Sequence, residues 1–234
     1  MERQISFTDV DVDGAVREAH AEAVEQLERA GDTRAGFLRK AGLAGGTVLG
    51  GGALLGALVP SSALAAGRPP KTFGTGDVGI LNYALTLEYL EANFYDQAYT
   101  NLYASAPAAV QAFMKTVKTD EAEHVAALKA ALGSKAVKKP SFAFGSAVTS
   151  LSTFEATAYV LENTGVAAYS GQAFNIKEPK VLAVALSIVT VEARHAGAIA
   201  SITGTAIAKD GAFDLPDTAA QVLAAVAATK FIVG

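Results

Sequence analysis

Glu121-Ala-Glu-His124 and Glu192-Ala-Arg-His195 decide how this chain is read. Each sets a histidine three residues after a glutamate, in a stretch whose apolar residues recur at helical spacing. Three residues turn a helix by about 300°, so both side chains fall on one face, stacked about one turn apart. Helices present two ligands to one metal ion in this way, and helix bundles build dinuclear carboxylate sites from such pairs. The chain has three histidines, and these motifs absorb two of them.

Outward from the motifs the sequence repeats itself. Leu87-Glu88 is followed seven residues after the glutamate by Tyr95, and Leu161-Glu162 by Tyr169 at the same interval. Glu88 precedes Glu121 by 33 residues, and Glu162 precedes Glu192 by 30. The pattern predicts two helical hairpins, each with one glutamate on its first helix and Glu-x-x-His on its second. Expected helices run from Asp77, as N-cap, to about Ala104, and from Ser105 and Pro107, as cap and first turn, to Leu132 before Gly133. A third runs from about Ser146 to Phe174, and a fourth from Glu178-Pro179 to about Ala208. Asp217 is the expected cap of a short last helix, Thr218 to Thr229.

The connection from Ser134 to Gly145 is the long one. Fully extended it reaches about 43 Å, enough to run the length of a bundle. The expected fold is therefore all-α, two antiparallel hairpins joined by a long crossover. Depth along the helices agrees with one shared site. Glu88 and Glu121 lie about 24 and 21 Å from their turn, and Glu162 and Glu192 about 18 and 20 Å from theirs. Their neighbours are apolar, as in Val181 to Val191. A carboxylate placed there must pair, take up a proton or coordinate metal. Four glutamates balance two divalent ions, and carboxylate with imidazole suits iron, manganese or zinc.

Four phrases carry a resemblance to a known family: Ile80 to Tyr95 (ILNYALTLEYLEANFY), Asp120-Glu-Ala-Glu-His124, Leu161 to Tyr169 (LENTGVAAY) and Val191-Glu-Ala-Arg-His195. Over about residues 77–210 the chain resembles the ferritin-like superfamily, and most of all the exported, single-domain ferritin-like proteins of bacteria, of the desiccation-related type. The resemblance implies a ferritin-like four-helix bundle with the ligand set Glu88, Glu121, His124, Glu162, Glu192 and His195. It also implies two divalent metal ions, iron first with manganese or zinc as alternatives, and reaction with oxygen or peroxide or oxidation of ferrous iron. Glu91, Tyr95, Tyr169 and Glu155 are candidates to stand behind these ligands, Glu155 also as an alternative third-helix ligand. Glu123 and Arg194 fall on the opposite helix face and read as solvated charges.

The remaining sequence sets the context. Residues 1–32 form an acidic extension without an assigned role, with His20 as a solvated side chain. Residues 33–66 read as an export signal: Thr33-Arg34-Ala35-Gly36-Phe37-Leu38-Arg39-Lys40, a glycine-rich apolar run, then Ala63-Leu64-Ala65 as a cleavage pattern. The flank resembles the twin-arginine signal, with Ala35 where its second arginine stands. The expected location is the periplasm, envelope or exterior, or a membrane anchor if the signal stays uncleaved. Residues 67–76 are a linker and 77–234 the folded domain. Beyond residue 66 the chain carries 13 basic and 14 acidic side chains, a balance that gives no case for nucleic acid. With no cysteine there is no disulfide and no thiolate metal site. Export machinery and a further copy of the chain are possible partners. Two functional classes are compatible with all this. One is a dinuclear oxidase or ferroxidase. The other is a non-catalytic stress or envelope protein in which the bundle is structural.

Overall fold

A computed structural model describes residues 67–233; the acidic extension and the export signal lie outside the described residues. These residues form five α-helices: α1 (Gly76–Leu102), α2 (Ala108–Leu132), α3 (Leu151–Gln172), α4 (Pro179–Thr203) and α5 (Ala219–Thr229). Among them is no β-strand, and one isolated antiparallel bridge joins Phe142 to Ile232. The all-α bundle expected from the repeat is the fold observed.

The ends of the helices depart from the sequence reading in instructive ways. Thr75, not Asp77, precedes α1. The Asp77 carboxylate instead accepts the backbone N–H groups of Lys177 at 3.1 Å and Glu178 at 2.8 Å. Those donors open α4, so Asp77 caps a distant helix and ties the start of α1 to it. Ser105 is no cap either. Its hydroxyl donates to the Leu102 carbonyl, and Pro107 takes the N-cap position. Residues 145–148 are a 3-10 turn, so α3 begins at Leu151 behind Ser150. Gly204, left-handed at φ 70°, ends α4 five residues short of Ala208. The cap of α5 is Thr218 rather than Asp217, in a capping box with Gln221.

Hairpins α1–α2 and α3–α4 pack side by side, and the crossover returns along the bundle between them. Asn82 fixes its beginning: the side-chain amide donates to the Phe73 and Lys135 carbonyls and its oxygen accepts the Val137 N–H. Phe142 and Phe144 fix its end, stacked at 5.7 Å, with Phe144 3% exposed. The C-terminal segment clamps this stretch through two backbone bonds, from Ala143 to Phe231 and from Val233 to Ser141.

Two apolar clusters fill the interior. The larger gathers Phe94, Tyr95, Phe113, Met114, Phe144 and Phe154; the smaller gathers Leu81, Leu85, Leu128, Tyr169 and Ile188. On α2 and α4 the polar motif falls between them. Along α2, for example, Val110 to Val117 serve the first, Leu128 and Leu132 the second, and Glu121 with His124 the layer between. Hydrophobic burial on both sides holds that layer dry.

Candidate metal centre

Four helices each contribute to one buried layer. Glu88 comes from α1, Glu121 and His124 from α2, Glu162 from α3, Glu192 and His195 from α4. All four glutamates are 0% exposed, and His124 and His195 are 8% and 5% exposed. Helical spacing stacks each histidine on its own glutamate, as the motifs predict. Bundle packing then brings the helices' polar stripes together.

The six residues form two overlapping groups. Glu88, Glu121, His124 and Glu192 make one; Glu121, Glu162, Glu192 and His195 make the other. Within each, one donor atom per residue lies within 4.8 Å of all the rest. Glu121 and Glu192 belong to both, so either ion would draw on them. His124 Nδ1 lies 3.3 Å from Glu88, 3.5 Å from Glu121 and 3.0 Å from Glu192. His195 Nδ1 lies 3.3 Å from both Glu121 and Glu162.

The inward-facing atoms meet only one another and none makes a well-directed hydrogen bond: Glu88 Oε2, Glu162 Oε2, both oxygens of Glu121 and Glu192, and Nδ1 of both histidines. Buried polar atoms are rarely left so, and a whole constellation of them calls for an occupant. Hard carboxylate oxygens with two imidazoles fit a pair of divalent first-row ions. The outward oxygens, by contrast, are held. Tyr169 donates its hydroxyl to Glu88 Oε1, and Tyr95 donates to Glu162 Oε1. Each tyrosine thus crosses from one hairpin to the terminal glutamate of the other.

Comparison with known protein families matches residues 76–205 to the ferritin-like domain. The chain belongs to the ferritin-like family. The match spans α1 to α4, leaving α5 outside, and a comparison with curated proteins gives no match.

The remaining candidates of this ferritin-like bundle sort by burial. Glu91, 3% exposed, is a fifth buried carboxylate whose Oε1 has no partner. Glu155 is half-buried on α3 and lies in neither group. Glu123 and Arg194 are exposed, as their helix face requires.

One residue escaped the sequence reading. Asp120 Oδ2 lies 3.0 Å from His195 Nε2, the nitrogen facing away from the cluster. A carboxylate there fixes the ring's orientation and tautomer, and raises the basicity of Nδ1. The corresponding residue beside Glu192 is Val191, so the repeat supplies this support on one side alone. Asp120→Ala is expected to weaken metal binding at the His195 position by about 10- to 100-fold and to spare the His124 position. Stepwise titration with cobalt(II) reads both affinities; equal loss at both would refute the assignment.

Electrostatics in the metal-free layer follows from crowding. Burial, then the charge of Glu88, pushes Glu121 up to about 7. Glu192 and Glu91 are raised well above the usual carboxylate range, first by burial and then by neighbouring glutamates. Burial lowers the histidines, but the carboxylates outweigh it: His124 is pushed up to about 12 and His195 to about 11. Protons therefore stand in for metal. Between its ordinary 4.5 and about 7, Glu121 holds a proton in the folded chain that the unfolded chain releases. From 6.5 to about 11 or 12 the histidines do the same. Folding takes up protons throughout this window, so these groups' contribution to stability is lost as pH rises. Metal-free protein should melt at a lower temperature at pH 9 than at pH 5.5, and added manganese should recover more at the higher pH. Metal-free melting that rises steadily over this range would contradict the layer's proton balance.

Proposed function

We propose that this ferritin-like protein binds two divalent metal ions, iron first with manganese or zinc as alternatives, and reacts with dioxygen or peroxide or oxidises ferrous iron. The observation that carries this reading is the pair of overlapping donor groups sharing Glu121 and Glu192. Iron or manganese held there would supply the electrons for reducing an oxidant.

The chain's own residues supply the remaining parts. Glu88 and Glu162 each present a free Oε2 to one position, with the other oxygen fixed by tyrosine. The apolar clusters above and below exclude water. His195 Nε2 and Asp120 form a hydrogen-bonded step outward, and the Asp120 side chain is 37% exposed. That pair holds the ring with Nδ1 facing inward, ready to take a metal ion.

A second reading has its own support. None of the four glutamates touches solvent, as suits metals that merely brace a bundle in a non-catalytic stress or envelope protein. Oxygen consumption separates the two. Protein loaded anaerobically with ferrous iron, then exposed to air, consumes oxygen if the centre is oxidative. Stable ferrous protein with unchanged oxygen would leave bracing as its role. Export through residues 33–66 belongs to the same proposal, and a mature N-terminus just after Ala65, by mass, is its test.

A further inference from the structure

We propose that one end of the bundle docks on an anionic lipid surface, with Phe174 entering the interface and Arg68, Lys71, Lys135, Lys177 and Lys180 meeting the headgroups. Glu88 lies 12 residues, about 18 Å, along α1 from Gly76, so the metal centre stands clear of this end.

At this end α1 and α4 begin and α2 and α3 finish. Side-chain hydrogen bonds draw the connecting segments together. Asn82 holds the carbonyls of Phe73 and Lys135, which brings the turn containing Lys71 beside Lys135. Asp77 accepts the N–H groups of Lys177 and Glu178. Arg68 donates to the Asn175 carbonyl, and Gln172 to the Gly67 carbonyl. All five basic side chains are exposed. The carboxylates on the same segments are Asp77, already occupied by backbone donors, Glu178, and Asp217 beside Gly171. Five cations against three carboxylates leave this end positive, although the residues beyond 66 carry 13 basic and 14 acidic side chains in all. Charge is sorted along the bundle, and a positive end attracts a negative surface.

The apolar part is Phe174. It sits in the 3-10 turn Ala173–Asn175 between α3 and α4, and at 76% it is the most exposed large apolar side chain among the described residues. An aromatic ring surrounded by lysine and arginine suits a membrane interface. The ring enters the boundary between headgroups and acyl chains while the cations stay with anionic headgroups. A nucleic acid duplex offers phosphates to the lysines but no apolar layer to receive the ring.

The chain also enters the bundle here. Gly67, tied to Gln172, follows by eight residues the end of the apolar run Ala41 to Val59. Eight residues span at most about 26 Å. A run lodged in a bilayer would therefore keep this end within reach of the headgroups. The opposite end lies about 40 Å further off, the length of α1. After cleavage past Ala65 the basic end alone would bind, and salt would weaken it.

The chain contains no tryptophan, so Phe174→Trp places a single reporter at the contact. Full-length protein carrying it is mixed with vesicles of phosphatidylcholine, alone or with phosphatidylglycerol. With phosphatidylglycerol its emission should shift to the blue and be quenched by brominated lipid. On phosphatidylcholine alone, where the apolar run can still hold the chain, emission should stay unchanged. Val160→Trp, at a position 56% exposed and about 18 Å along α3 from Gln172, should respond to neither. Lys177→Ala with Lys180→Ala should weaken the response to phosphatidylglycerol by about tenfold or more, at about fivefold per cation. Lys115→Ala with Lys209→Ala, the same change of charge away from this end, should leave it unchanged. All these side chains are exposed, so the core is untouched. No shift at Phe174→Trp on the anionic vesicles, equal shifts at Phe174→Trp and Val160→Trp, or equal losses for the two lysine pairs would overturn the proposal. So would a shift produced by duplex DNA and not by vesicles, which would give this end to a nucleic acid.

Discussion

Glu121→Ala combined with His195→Ala is expected to abolish metal binding altogether, from about two ions per chain to none. Glu121 belongs to both donor groups, so its loss strips a ligand from each at once, and His195→Ala removes the imidazole from one. Glu88→Ala makes the informative contrast. Glu88 serves the His124 group alone, so that variant should keep about one ion per chain, in the His195 position backed by Asp120. Elemental analysis after loading with iron or manganese gives the stoichiometry directly. Melting of each metal-free variant beside metal-free wild type shows whether it is folded when the metal is offered. Wild-type protein that stays metal-free after loading would sink the centre.

The second large effect lies outside the centre. Gly171→Ala should destabilise the bundle by about 3 kcal/mol or more, a fall in melting temperature on the order of 10 °C. A Cβ on Gly171 would lie 1.8 Å from the Asp217 carbonyl oxygen and 2.9 Å from its carbon. Both contacts are backbone, and Asp217 is further held by its N–H to the Ala167 carbonyl. Relief requires α5 to lift off α3, exposing Ala219, Val222 and Val226, now 0%, 1% and 6% exposed. Gly197→Ala in α4 is the control. Its Cβ would meet only Ile207, at an ordinary 3.7 Å, so helix propensity should stabilise by up to about 1 kcal/mol. Equal melting shifts in the two variants would show that close approach at Gly171 is not the cause.

The legible parts of this molecule were those written at short range. Glu-x-x-His fixes a shared helix face whatever surrounds it, and the Glu-to-Tyr interval repeated in both hairpins located Glu88 and Glu162. What the sequence hid depends on contacts between segments. Asp120 lies 75 residues from His195, and no spacing rule joins them. Glu91 was readable as a neighbour of Glu88 on α1, but its burial was not. Every residue from Gly79 to Glu91 is buried, so α1 has no solvent face along that stretch for a charged side chain to occupy. Asp77 looked like a local cap, yet its carboxylate serves α4. Gly204 stops α4 inside a run of small and apolar residues, where composition alone favours continuing the helix.

The crossed tyrosines make the two hairpins interdependent. Tyr95 steadies Glu162, and Tyr169 steadies Glu88, so each hairpin finishes the other's half of the centre. A lone hairpin would hold three of the six candidate ligands and a tyrosine with no glutamate to meet. Two identical hairpins, related by a twofold axis, would hold all six and satisfy both tyrosines. The geometry is that of a homodimer written into one polypeptide. Asp120 opposite Val191, and Glu91 opposite Gly165, are places where the two halves differ, which two copies of one gene product could never do.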